Sequence, residues 1–193
     1  MDYDVIIVGA GPGGIFTAYE LAKADRALKI GVFELGKPLD KRRCPIDGKK
    51  VKSCVKCPTC AIMSGFGGAG AFSDGKLSLS HEVGGDFPTL IGAQNAQDLI
   101  DYTDGIYLEF GADSHIEGIG NTEEVREIRR RAIQAGLKLV DCPIRHLGTE
   151  KAQTLYLALE NYLRDNDVEM IFGWECEELL MDGETCLGVS LRR

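Results

Sequence analysis

The chain has 193 residues, 44% of them hydrophobic and 27% charged, so it can bury a core and is not a disordered tail. Its 22 Lys and Arg against 30 Asp and Glu leave a net charge of −8, which makes it a poor general polyanion binder and argues against nucleic acid or an acidic membrane as a partner. Glycine is over-represented, at 24 residues against a usual share of about 7%, but without the strict period of collagen.

No apolar run approaches the ~20 residues needed to span a bilayer. The opening Asp2 and Asp4 are acidic, and the apolar run behind them stops at Gly9, unlike a signal peptide. A cytoplasmic protein with reduced cysteines is the expectation.

Val5 to Val8 read as a strand buried on both faces. Gly-rich punctuation follows, and then Ile15, Phe16, Ala18, Tyr19, Leu21 and Ala22 recur at helical spacing. Lys29 to Glu34 form a second apolar strand, completing a βαβ unit with parallel strands. Residues 36–76 show no periodicity, and a loop of that length is normally functional.

Pro88 to Phe110 reads as a helix weakened by Gly92 and Gly105. Asn121, with Glu124 three residues later, has the spacing of an N-cap and its reciprocal partner, opening a helix that ends near Gly136. Leu137 to Val140 is expected as a short strand. Thr149 then caps a helix carrying Leu155, Leu159, Tyr162 and Leu163 on one face, Val168 to Phe172 is a strand, and a hairpin turns at Asp182-Gly183. The fold class that follows is α/β: an incomplete Rossmann-like domain (residues 1–80 and 149–193), with a helical insertion at 81–148 serving as a substrate or cap region, and a terminal β-hairpin.

Gly9-Ala10-Gly11-Pro12-Gly13-Gly14 supplies G-x-G-x-x-G directly after a strand and at the opening of a helix, the context that dinucleotide binding demands. The first Gly permits the tight turn, the second lets pyrophosphate approach the backbone, and the third lets helix pack on strand. The helix N-terminus offers free N–H groups to the phosphates. Glu34, at the end of the second strand, can accept hydrogen bonds from ribose hydroxyls and would repel a 2′-phosphate. The candidate cofactor residues here are Gly9, Gly11, Pro12, Gly13, Gly14 and Glu34. The fingerprint alone does not separate FAD from NAD.

With Val5-Ile6-Ile7-Val8 before the glycines, and Ala18, Leu21 and Val32-Phe33-Glu34 after them, this stretch resembles the extended ADP-binding signature of glutathione-reductase-type flavoproteins, which implies FAD as cofactor. Downstream, Cys57-Pro58-Thr59-Cys60-Ala61-Ile62-Met63 runs into Ser64-Gly65-Phe66-Gly67-Gly68-Ala69-Gly70-Ala71-Phe72-Ser73-Asp74-Gly75-Lys76. Together with Leu77 to Ser80, Arg145 to Thr149 and Val168 to Ser190, it is similar to the uncharacterised bacterial FAD-dependent dehydrogenases. That resemblance implies that the second glycine loop lines the flavin side of FAD, through Gly67, Gly68, Ser73 and Lys76. It also implies that the sequence corresponds to the front part of a longer flavoenzyme, because an Ala-Thr-Gly strand end and a later Gly-Asp segment have no counterpart here. The remainder of the FAD domain is therefore expected elsewhere.

Cys54-x-x-Cys57-x-x-Cys60 has the spacing of an iron–sulfur ligand run, with Ser64 where a fourth Cys is common. Cys44 is a candidate fourth thiolate, and a structural zinc ion would suit the same four ligands. The surrounding residues 37–56 carry eight Lys or Arg against Asp40 and Asp47, which favours thiolates. A solvated basic loop, or a dithiol passing electrons to flavin, explains the cysteines as well.

Of the histidines, His146 is the catalytic candidate: it follows Arg145 near a helix cap, where a substrate anion could be held. Flavin would carry the hydride chemistry and leave the protein to orient the substrate and supply an acid or base. The expected function is FAD-dependent redox transfer on a small molecule, with substrate and electron donor unidentified. An NAD-binding dehydrogenase, or a non-enzymatic module holding zinc or an iron–sulfur cluster, are the alternatives.

Overall fold

β-Branched residues open the chain as a strand. In the computed structural model, which describes residues 2–25, 27–120 and 122–193, Val5–Val8 form β1. A glycine turn leads into α1 (Pro12–Ala24), with Pro at the start, where its missing N–H costs nothing. Ile15, Ala18, Tyr19 and Ala22 recur every three to four residues and are buried. β2 (Ile30–Glu34) is buried along its whole length.

β2 is the middle strand of a parallel sheet. β1 lies on one side, with Val5 opposite Ile30, and β5 (Glu169–Phe172) on the other, with Gly31 opposite Glu169. α5 (Thr149–Asp165) buries Leu155, Leu159 and Leu163, and its Tyr162 ring lies 5.3 Å from that of Tyr19 on α1. Burying each such side chain contributes about 1.5–3 kcal/mol. The mixed α/β architecture with a parallel sheet agrees with the sequence expectation.

The chain divides into two units, Met1–Ser73 with Ala152–Arg193, and Asp74–Lys151. In the second unit β3 (Lys76–Ser78) pairs antiparallel with β4 (Ile144–His146), Leu77 standing opposite Arg145. The helix expected from Pro88 to Phe110 is two, α2 (Phe87–Ile91) and α3 (Ala93–Glu109). They are broken at Gly92, whose φ of +89° no helix accommodates. α4 (Glu123–Gln134) is capped by Thr122, whose hydroxyl accepts the Val125 N–H at 3.3 Å. The Asn121 cap expected from sequence lies outside the described residues.

The strand expected at Leu137 to Val140 does not form. Its first N–H is committed to the end of α4, donating to the Ala132 carbonyl at 2.8 Å, and Leu137 is exposed. The chain ends in a hairpin of β6 (Glu175–Asp182) and β7 (Thr185–Arg192), turning at Gly183 as its positive φ requires. No described helix is long and apolar enough to cross a membrane.

Candidate functional site

The turn between β1 and α1 is held by the Gly9 N–H, which donates to the Phe33 carbonyl at 2.7 Å. Its three signature glycines differ physically. A Cβ on Gly14 would stand 1.9 Å from the Gly9 carbonyl oxygen, so only glycine fits where the helix presses on the turn. A Cβ on Gly11 or Gly13 would meet nothing within 4 Å. Gly11 caps α1 and Gly13 lies in its first turn, where unpaired N–H groups and the helix dipole favour an anion.

Glu34 closes this turn from β2. The residue is 7% exposed, and its Oε2 accepts the Ala10 N–H at 2.8 Å. Oε1 accepts the N–H groups of Gly36 at 2.7 Å and Gly65 at 2.8 Å. A carboxylate offers about four acceptor positions, so Oε1 is filled and Oε2 keeps one for a further donor. One side chain thereby ties three segments: the first glycine turn, the end of β2 and the second glycine loop. Gly36 and Gly65 must both be glycine for this approach, since a Cβ on Gly36 would lie 2.3 Å from the Gly65 nitrogen.

The second glycine loop lies over the first. The Gly67 N–H donates to the Ala10 carbonyl at 2.8 Å, and a Cβ on Gly68 would stand 3.5 Å from the Gly11 Cα and 3.8 Å from the Pro12 ring. The structure thus brings Gly67 and Gly68 to Gly9, Gly11, Pro12, Gly13, Gly14 and Glu34. Ser73 ends the 3₁₀ turn Gly68–Phe72, its hydroxyl donating to the Gly70 carbonyl.

Sequence reading missed the residue that holds this loop. Arg42, in sequence one of the eight basic residues around the cysteines, is 3% exposed. Nε donates to the Ala61 carbonyl at 2.9 Å, and the two terminal nitrogens donate to Phe66 at 2.6 Å and Ile62 at 2.7 Å. Its guanidinium also covers the Phe72 ring. Burial lowers its pKa from the ordinary arginine value, and the charges of Glu34 and Cys60 partly counter that. The one signal available was the residue type: arginine, unlike the lysines around it, can serve several carbonyls with a planar fork.

A pocket of about 610 Å³ opens at the carboxyl ends of β2 and β5, lined by Leu35, Gly36, Lys37, Phe172 and Gly173 among others. Ligands of open α/β sheets bind at this end of the strands.

The structure does not gather the cysteines of the expected cluster. Among the described residues no group of three or more His, Cys, Asp and Glu is placed to hold a metal ion. Cys44, Cys54 and Cys60 are exposed free thiols, and Cys57 is a half-buried one. A metal needs sulfurs converging at about 2.3 Å, and hydrogen bonds in the loop serve its own backbone. Arg42 fixes residues 61–66, the Cys60 carbonyl accepts the N–H groups of Met63 and Ser64, and Asp47 takes the N–H groups of Lys49, Lys50 and Val51. Those bonds hold the Asp47 carboxyl below its usual pKa, the one from Val51 most strongly.

Two predicted residues belong to the second unit. Lys76 pairs with Asp74 at 2.8 Å, a bond that holds the Asp74 carboxyl below its usual pKa. His146 stands opposite Lys76 in the β3–β4 ladder, its Nδ1 3.4 Å from Glu117 Oε1. Beside it Arg145 is sealed in, bonded through two nitrogens to the Asp104 carboxylate, and donating to the carbonyls of Asp113 and His115. It is therefore committed to the unit's interior rather than to an anion from solution.

No family model matches the chain. A stretch of 73 residues, 38% of the chain, is 42% identical to an uncharacterized protein of Clostridium beijerinckii, 13% of which it covers. In fold the chain is similar to an L-amino acid deaminase from Proteus vulgaris (16% identity, TM-score 0.52), over 98% of this chain and 44% of that one. It is likewise similar to 3-ketosteroid-Δ4-(5α)-dehydrogenase from Rhodococcus jostii (14%, 0.56), over 99% and 42%. Glycine oxidase from Geobacillus kaustophilus (18%, 0.50) matches over 98% and 51%. The fold is Rossmann-like. The chain spans about half, or less, of the length of these solved proteins.

Proposed function

We propose that this chain provides the ADP-binding part of an FAD-dependent oxidoreductase. The observation that carries the reading is the pairing of an open glycine cradle with a buried carboxylate that still has one acceptor position. At Gly11 and Gly13 the backbone leaves room for a diphosphate against the start of α1, and Glu34 Oε2 can take one ribose hydroxyl beside it. A 2′-phosphate would place a second anion against a buried one and is rejected on that ground. The pocket at the ends of β2 and β5 suits the adenosine, with Leu35 and Phe172 as apolar surface. When bound, FAD supplies hydride transfer; the residues described here bind, orient and shield it.

FAD rather than NAD is favoured by the resemblance to the extended flavoprotein signature, and by redox enzymes, an oxidase and a dehydrogenase by name, among the similar folds. Gly67 and Gly68 contribute to the same site by lying on the first turn. Ser73, Lys76 and His146 are proposed as contributors on the strength of the resemblance and the sequence pattern only.

Calorimetry of the 193-residue chain with ADP, FAD and NAD tests the reading. ADP and FAD should bind, and Gly11→Val should abolish both while leaving the Tm within a degree or two, because a Cβ at that position meets nothing within 4 Å. Binding of NAD without FAD, or ADP binding unchanged in Gly11→Val, would overturn it.

A further inference from the structure

The second unit contains a pocket of about 280 Å³, lined by Ser80, His81, Val83, Phe87 and Ile100 among others, which the cofactor reading does not use. Its chemistry is set by a hydrogen-bond chain with only one consistent orientation. The Gln97 side chain on α3 meets the backbone N–H of His81 at 3.3 Å, the Leu79 carbonyl at 3.2 Å and Asp101 Oδ1 at 2.8 Å. A peptide N–H only donates, while a carbonyl and a carboxylate only accept. Gln97 must therefore turn its oxygen to His81 and its amide nitrogen to Leu79 and Asp101.

That oxygen also lies 3.0 Å from His81 Nδ1. Since the oxygen can only accept, Nδ1 must carry a proton, and neutral His81 is the Nδ1–H tautomer. Its Nε2 is then a bare lone pair with no partner among the described residues. Ser80 complements it: its oxygen accepts the Glu82 N–H at 3.2 Å, leaving its own proton to donate. Ser80 and His81 both line the pocket and bring to it one acceptor and one donor beside Val83, Phe87 and Ile100.

We propose that this pocket binds a compact apolar alcohol or phenol, whose hydroxyl donates to His81 Nε2 and accepts from Ser80. A hydroxyl satisfies both partners at once through a single atom; a carboxylate lacks the proton, and an ammonium lacks the acceptor. Val83, Phe87 and Ile100 take the hydrocarbon portion.

The test is nitrogen-15 NMR of the labelled chain, at a pH where His81 is neutral, with phenol as the probe. The free protein should show a protonated Nδ1 and a bare Nε2, and phenol should move the Nε2 resonance and the Ile100 methyl signals in a saturable way. His81→Phe should weaken phenol binding about five- to tenfold, the loss of one hydrogen bond. Ile100→Trp, which fills the pocket, should abolish the phenol response while preserving the Nδ1–H tautomer. An Nε2–H tautomer, equal phenol affinity in His81→Phe, or a phenol response surviving in Ile100→Trp would each overturn the proposal.

Discussion

Arg42 in the first unit and Arg145 in the second are 3% and 2% exposed, yet their surroundings are opposite. Arg145 is neutralised by Asp104 through two bonds, and that bond raises its pKa above the ordinary arginine value. Arg42 meets no carboxylate directly: three peptide carbonyls solvate it, and burial lowers its pKa. A paired charge repays its desolvation by attraction at one point, and what it secures is packing. A charge solvated by carbonyls gains less per contact but fixes several peptide planes at once. The first unit uses the second solution where an irregular glycine loop must be given a shape.

The largest expected effect that bears on this contrast is Arg145→Met, which strands the Asp104 carboxylate and should cost about 3–4 kcal/mol, read from urea unfolding; a loss below about 1 kcal/mol would mean that Asp104 finds water instead. Glu34→Gln comes next. Its amide must turn a donor toward backbone N–H groups, so about 2–3 kcal/mol is lost and ADP affinity falls with it, measured by calorimetry. Arg42→Lys keeps the charge but not the fork, at about 1–2 kcal/mol. It should speed proteolysis within residues 61–66, where Arg145→Lys should not.

The smallest effect concerns Tyr3. Its hydroxyl donates to Glu169 at 2.7 Å, and burial, followed by that carboxylate, pushes its pKa up to about 12 from 10.0. The unfolded state loses this proton first, so stability is intact below pH 10 and declines from pH 10 towards 12. Tyr3→Phe should flatten the alkaline side of a Tm-against-pH curve in that interval, and an unchanged slope would assign the decline to other groups.

The parallel sheet, α1, α5 and the hairpin were legible because their signals are local: β-branched runs, three-to-four spacing, and glycine at a turn. The same holds for the cradle, since G-x-G-x-x-G between strand and helix carries its own geometry. What escaped depended on contacts distant in sequence. Glu34 reads as a ribose acid, but nothing near it in the sequence shows that Gly65 supplies one of its donors. Arg42 sits in a basic run that looks solvated, and only the fold buries it. The even spacing of Cys54, Cys57 and Cys60 suggests a shared ligand, and the structure describes each as a free thiol. Gly92 was read as weakening a helix, and its φ in fact divides one.

The two ends of the cysteine-bearing excursion meet at a single neck. Arg42 grips residues 61–66 on the return side, and Glu34 joins Gly36 to Gly65 just beneath. Residues 43–60 therefore leave and re-enter the body at one place, while Arg43, Cys57 and Thr59 line the pocket at the ends of β2 and β5. A peptide bond cut between those lining residues would leave both fragments clasped through side chains outside the cut, and a foreign segment spliced near residue 50 would be carried on that clasp.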